Sequence, residues 1–319
     1  MKILANDGIS AEGIEKLESN GFEVSTDKVP QEALIEAINK ENYVGLLVRS
    51  ATTVRKDLID QCPNLKFIGR GGVGMDNIDV DYARDKGITV ENTPAASSQS
   101  VAELVMGNLF SVARTTFDAF KEMPQQGNSA FKQLKKKYAK GVELRGKTLL
   151  IVGFGRIGQS LAQYALGAGM KVVAINRTAL KVDIPINIEG AENITVPVQA
   201  TTDIETELPG ADFISLHVPK QEDGSAVIGA QEFSKMKSGV RIVNAARGGV
   251  IDEDALIKAL NDGKVASVAL DVFDHEPSPR EDLLQHPQIA CTPHIGAATV
   301  EAQARIGVEL ADKIIATLK

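Results

Sequence analysis

The segment Gly153-Phe154-Gly155-Arg156-Ile157-Gly158 follows at once on the β-branched and leucine run Thr148–Val152 and precedes a helical pattern through Ala168. In that strand-turn-helix context each glycine has a job. Gly153 permits a tight turn, Gly155 lets backbone approach a pyrophosphate, and Gly158 lets helix and strand pack closely. Free N–H groups at the helix start, around Arg156, Ile157 and Gly158, then face the phosphates of a dinucleotide. Without that context the motif would be an ordinary glycine-rich turn. The next strand ends at Asn176, where an acidic residue normally accepts hydrogen bonds from the adenosine ribose of NAD. Asn176-Arg177-Thr178 leaves two readings open: an amide that bonds the ribose, or an arginine that receives the extra phosphate of NADP.

Three later segments carry further reactive residue types: Asn244–Gly249 with Arg247, Leu270–Pro277 with Asp271 and Glu276, and Thr292–Ala297 with His294. All lie just past expected strands, where open α/β sheets place their ligands. A guanidinium binds a carboxylate through two parallel charge-assisted bonds. An imidazole titrates near neutrality and can give or take a proton. Taken singly, each has a plainer explanation: Arg247 a surface ion pair, His294 a loop residue after Pro293, Glu276 a solvated turn, Asp271 a cap. His275 and His286 read as loop residues.

Alternating elements must position these segments. Lys2–Ala5, Phe22–Val24, Val44–Val48, Leu65–Gly69 and Ile88–Val90 read as strands separated by helical patterns, the rhythm of a parallel sheet. A second such series runs through Thr148–Val152, Val172–Ile175, Phe213–Leu216, Arg241–Asn244, Ser267–Asp271 and Ile289–Thr292. Between the series, a helix is expected from Ser97 to about Glu122. Residues 124–141, with Pro124, Gly127 and the basic run Lys135–Lys137, read as a solvated surface arm. Asp183–Thr201 has alternating β-branched residues and no helical period, which suggests a hairpin-like insertion or a long loop. Thr299 can cap a final helix with apolar positions at Ile306, Leu310, Ile314 and Ile315.

A chain of 319 residues suits two domains. Its 43% hydrophobic and 24% charged residues are those of a globular protein. A net charge of −7 provides no general surface for nucleic acid or anionic lipid. The two cysteines, Cys62 before Pro63 and Cys291 in an apolar run, suggest neither disulfide nor zinc, and no metal site is expected. No run approaches the ~18 apolar residues of a membrane span, and the expected location is cytoplasmic.

Together with the glycine turn, these segments resemble the signatures of the D-isomer-specific 2-hydroxyacid dehydrogenases over nearly the whole chain. The resemblance implies hydride exchange between NAD(H) and a small anionic 2-hydroxy or 2-keto acid, with NADP(H) use favoured where Asn176-Arg177 replaces the usual acid. Arg247 would clamp the carboxylate, His294 would carry the proton, and Glu276 would orient His294. Asp271 would contact the nicotinamide carboxamide. His217, Val218 and Pro219 would lie near the adenosine end, with Ala245 and Gly296 also lining the cofactor.

The implied fold is α/β, with two doubly wound parallel-sheet domains. A Rossmann cofactor domain, 98–294, is inserted into a flavodoxin-like substrate domain of 1–97 and 295–319. Within the family, Val48–Val54 and Gly69–Asn77 resemble phosphoglycerate dehydrogenases most. Arg49, Ser50, Arg70 and the Gly71-Gly72-Val73-Gly74 backbone are then candidate substrate contacts, and the activity would be the first step of serine biosynthesis. Glyoxylate or hydroxypyruvate reduction, or a corepressor-type dinucleotide-sensing scaffold, are the alternatives. The family implies a homodimer formed through the long helix and the 124–141 arm. Feedback by serine through an added C-terminal regulatory domain is not expected.

Overall fold

Nearly every apolar run noted above becomes a strand in one of two sheets. A computed structural model describes residues 1–319. The chain forms two compact units, Met1–Ser100 with Ala297–Lys319, and Val101–Gly296.

The first unit holds β1 (Lys2–Ala5), β2 (Glu23–Ser25), β3 (Tyr43–Val48), β4 (Phe67–Arg70) and β5 (Thr89–Asn92). They form a parallel sheet in the order β2-β1-β3-β4-β5. Because helices cover both faces, successive residues feed different cores. Leu4, Leu46, Val48 and Ile68 pack on one side, while Ile3, Ala5, Leu47 and Phe67 meet Ile306, Leu310 and Ile314 on the other. The strand order reverses between β1 and β3, so the loops after these strands flank a switch point, the usual place for a ligand crevice.

In the second unit are β6 (Thr148–Val152), β7 (Lys171–Ile175), β8 (Leu180–Ile186), β9 (Ile194–Thr201), β10 (Phe213–Leu216), β11 (Val240–Asn244), β12 (Val265–Leu270) and β13 (Ile289–Cys291). Their order is β13-β12-β11-β10-β6-β7-β9-β8. All neighbours are parallel except β8 and β9. The reversal between β6 and β10 puts the glycine turn at the switch point. Adjacent strands β11, β12 and β13 end in the loops that carry Arg247, Glu276 and His294.

Two segments sharpen or correct the sequence reading. Residues 183–201 belong to an antiparallel hairpin paired from Leu180↔Ala200 to Ile186↔Ile194. Ile184, Val198 and Ala200 turn into the core, and Lys181, Asp183 and Pro185 remain exposed on the edge strand. Such residues discourage further strand pairing.

The 124–141 segment is not an arm without structure. Ser98–Arg114 is one helix, Thr115 breaks it at φ 54°, and Thr116–Lys137 is helical across Pro124 with a kink at Ala130. In a straight helix Asp118 and Lys137 would lie roughly 28 Å apart. Instead Lys137 bonds Asp118 at 2.9 Å and Glu122 at 2.7 Å, and the Tyr138 hydroxyl lies 2.8 Å from each of the same two carboxylates, donating its one hydrogen to either. The chain therefore doubles back. This staple outweighs the weak helix propensity of Pro124 and Gly127.

Candidate active site

The turn after β6 is braced from both sides. Gly153 N–H donates to Ile175 O at 2.9 Å, and His217 N–H donates to Val152 O at 2.7 Å. Gly153 has φ 98°, and a Cβ there would lie 2.4 Å from the His217 carbonyl oxygen, so only glycine meets both demands. Nothing lies within 4 Å of a Cβ built on Gly155. The Arg156–Gly167 helix makes its first bond from Gln159 N–H to Gly155 O at 2.9 Å, which leaves the N–H groups before it for an anion. Open space at a bare helix start suits a dinucleotide pyrophosphate.

Asn176 donates its amide to Thr178 O at 3.2 Å, closing a turn on which Arg177 and Thr178 are exposed. After β10, Val218 and Pro219 follow His217, whose Nε2 lies 2.8 Å from the Ser215 hydroxyl. Burial pushes the His217 imidazole down to about 4, so it stays neutral in the physiological range. A ring held neutral in this way suits lining better than proton transfer.

The reactive residue types meet on the loops after β11, β12 and β13. Asn244, 2% exposed, accepts Ala246 N–H and donates to Arg247 O, each at 3.0 Å. One side chain thus shapes the turn that presents Ala245 and Arg247. At Gly248 a Cβ would lie 1.9 Å from the Phe273 carbonyl oxygen, so the Arg247 loop rests on the Asp271–Pro277 backbone. There Glu276 accepts Phe273 N–H at 3.0 Å through Oε1 and the His294 Nδ1–H at 2.8 Å through Oε2. With Nδ1 engaged, Nε2 is the ring nitrogen left to exchange a proton with a substrate.

His294 itself has φ 54°, a left-handed conformation that costs on the order of 1–3 kcal/mol in a non-glycine residue. Asp271 holds it there. Its Oδ1 accepts the Thr292 hydroxyl at 2.6 Å and Ile295 N–H at 2.8 Å, and its Oδ2 accepts Gly296 N–H at 2.8 Å. The resemblance assigns Asp271 and Gly296 to the cofactor; the structure shows Asp271 1% exposed with both oxygens engaged by the His294 loop.

In the first unit Arg49 is half-buried, Ser50 is exposed, and the Arg49 guanidinium makes no hydrogen bond or ion pair. Arg70 differs, since its Nη1 donates to Gly71 O at 3.2 Å and lies over Gly72. Thr93 accepts Gly72 N–H at 2.8 Å and Asn92 donates to Val73 O at 2.5 Å, which shapes the backbone leading to Gly74. Sequence reasoning passed over the polar residues that build these loops: Asp7, Asn77, Asn92, Thr93 and Asn244. Their only sequence signal is a small polar residue near a strand end, too common to single them out.

Comparison with known proteins identifies the family of the chain. Residues 106–296 match the family described as D-isomer specific 2-hydroxyacid dehydrogenase, NAD binding domain. A hydroxypyruvate reductase from Thermotoga maritima is 41% identical over 321 residues, covering 99% of this chain and 98% of that one. A D-3-phosphoglycerate dehydrogenase from Methanocaldococcus jannaschii is 42% identical across 100% of this chain, which spans 58% of that protein's length. Among solved structures, the TT0316 protein from Thermus thermophilus superposes with a TM-score of 0.84 at 30% identity, covering 100% of this chain and 97% of that one.

The contact at Gly248 gives a direct test of whether the loops act together. Gly248→Ala is expected to lower kcat/KM by about 10²-fold, the order that follows from ångström-scale misplacement of a reacting group. NADH affinity measured by fluorescence titration should hardly change. Kinetics equal to those of the unaltered protein would show that the two loops separate freely.

Proposed function

The chain belongs to the D-isomer-specific 2-hydroxyacid dehydrogenases, and from that premise we propose that it interconverts 3-phosphoglycerate and 3-phosphohydroxypyruvate. The observation that carries the chemistry is the His294–Glu276 hydrogen bond on loops packed beside Arg247. The Gly153–Gly158 turn would hold the pyrophosphate of a nicotinamide dinucleotide, whose ring would supply or accept the hydride. In the reducing direction Arg247 holds the substrate carboxylate by a paired contact, and His294 Nε2 gives its proton to the keto oxygen as that oxygen becomes a hydroxyl. In the oxidising direction the same nitrogen takes the proton back. Glu276 keeps the ring turned for both.

The preference for a phosphorylated substrate rests on Arg49, whose unpaired guanidinium can meet a second anionic group. Arg70, already bonded to Gly71, is the lesser candidate. A second reading, hydroxypyruvate reduction, is favoured by the Thermotoga maritima relative, of which this chain covers 98%. Turnover of 3-phosphohydroxypyruvate separates either enzyme reading from a corepressor-type scaffold. No helix is long and apolar enough to cross a membrane. Phe110, Phe120, Met123 and Phe131 are 43–74% exposed on the Ser98–Arg114 and Thr116–Lys137 helices, and such uncovered apolar side chains support a homodimer.

A panel of 2-keto acids with both cofactors tests the assignment. His294→Ala should lower turnover by about 10² to 10⁴ with little change in cofactor affinity; near-normal turnover across neutral pH would remove His294 from the mechanism. Arg49→Ala should cost on the order of 1 to 3 kcal/mol against 3-phosphohydroxypyruvate and much less against hydroxypyruvate. Equal losses on both substrates would point to carboxylate binding or folding instead.

Cofactor choice turns on Asn176 and Arg177. Without a carboxylate to repel the added phosphate, NADPH should be used within about tenfold of NADH, a gap of ~1.4 kcal/mol. Arg177→Ala should then hurt NADPH more than NADH, and Asn176→Asp should restore a clear preference for NADH. A preference of the unaltered enzyme for NADH beyond about a hundredfold, or ~2.7 kcal/mol, would mean that Arg177 plays no part.

A further inference from the structure

We propose that Asp7 and Asn77 are positioning residues for substrate binding, clamping the Arg49–Thr52 loop from both sides so that the Arg49 guanidinium stands ready for an anion. The proposal rests on the reading that Arg49 meets the substrate. Asp7 occupies the donors of the loop: its Oδ2 accepts Arg49 N–H at 2.6 Å and Thr52 N–H at 3.0 Å, and its Oδ1 accepts the Thr52 hydroxyl at 2.7 Å. Asn77 occupies the acceptors, donating Nδ2 hydrogens to Arg49 O at 2.7 Å and Thr52 O at 2.6 Å. Both backbone groups of Arg49 are therefore fixed, while its side chain has no partner.

Charge is arranged to keep that side chain available. A carboxylate this close would ordinarily attract the guanidinium. Asp7, with its side chain only 4% exposed, is instead ion-paired with Lys28, which also donates to Thr52 Oγ1 at 3.2 Å. Burial pushes the Asp7 carboxyl up, but the bonds from Lys28, Arg49 N–H and Thr52 outweigh it and hold the group below the usual carboxylate range. Asp7 thus remains charged and matched at working pH. Asn77 also accepts Val54 N–H through its backbone carbonyl at 2.8 Å, and Gly71 N–H donates to Val48 O at 2.9 Å, so the loops after β3 and β4 form one platform. A preset cation loses less conformational freedom when the ligand arrives.

Steady-state kinetics of the full chain with saturating NADH, using 3-phosphohydroxypyruvate and hydroxypyruvate, separate positioning from folding. Asp7→Asn puts an amide donor against donors, and Asn77→Ala removes the donor shared by two loop carbonyls. Each should raise the KM for 3-phosphohydroxypyruvate about tenfold, the scale of one charge-assisted contact, and that for hydroxypyruvate much less. Turnover should stay within about threefold and NADH affinity should be unchanged. Combined with Arg49→Ala, neither substitution should raise KM further, because each acts through Arg49. If Arg49→Ala raises KM and the second substitution multiplies it again, the positioning role is overturned while the substrate reading stands. If Arg49→Ala leaves KM unaltered on every substrate, the substrate reading falls and the proposal with it. Lowered thermal stability with unchanged KM in Asp7→Asn or Asn77→Ala also overturns it, and should one variant fail to fold, the other decides.

Discussion

A carboxylate removed from water must find hydrogen-bond donors, and in this chain the donors that Asp271 finds belong to the loop that presents His294. The rest of the proposed catalytic arrangement depends on that constraint. Two N–H groups and one hydroxyl fold the 292–296 backbone around the buried group, and the path leaves His294 in a left-handed conformation that an isolated loop would abandon. The ring then reaches Glu276, whose other oxygen is tied to the Phe273 backbone beside Gly248 and the Arg247 turn. His294, Glu276 and Arg247, the proposed acid, orienting carboxylate and clamp, are thus linked through the loops that carry them, so none depends on a flexible side chain alone.

The first unit uses the same device for a different purpose. Asp7 lies just after β1 and draws in N–H groups of the loop after β3, across the reversal of strand order. In both units a buried carboxylate past a strand end shapes a neighbouring loop, and a residue without that burial, Arg49 or His294, faces outward. Parallel sheets lend themselves to this, because all their strands deliver loops to one edge.

The fold class was legible because strands buried on both faces leave continuous apolar runs, and because the glycine turn has one strand-turn-helix setting in which its spacing makes sense. The continuation of the helix beyond Glu122 to Lys137 was not. Its outcome depends on Lys137 and Tyr138 reaching back to Asp118 and Glu122, contacts that no local propensity encodes. Of the site, the residue types Arg247, Glu276 and His294 announce a chemistry, and the family resemblance supplied their pairing. The groups that hold the loops in shape were harder to read: Asp7, which meets its donors 42 and 45 residues along the chain, drew no reading, and Asp271, whose donors lie 21 to 25 residues on, read as a cap or a cofactor contact and not as the holder of the His294 loop. Nor does any sequence pattern mark His294 for positive φ.

The central claim, that Asp271 acts by holding His294 in place, is tested most directly by comparing turnover with cofactor affinity in Asp271→Asn. An amide offers one acceptor oxygen and turns a donor toward groups that are themselves donors. On this account kcat for the 2-keto acid falls by about 10²-fold or more, as for a misplaced general acid, while NADH affinity by fluorescence titration stays close to that of the unaltered enzyme. A large loss of NADH affinity with kcat preserved would contradict it, and would make Asp271 a cofactor contact rather than the support of the His294 loop.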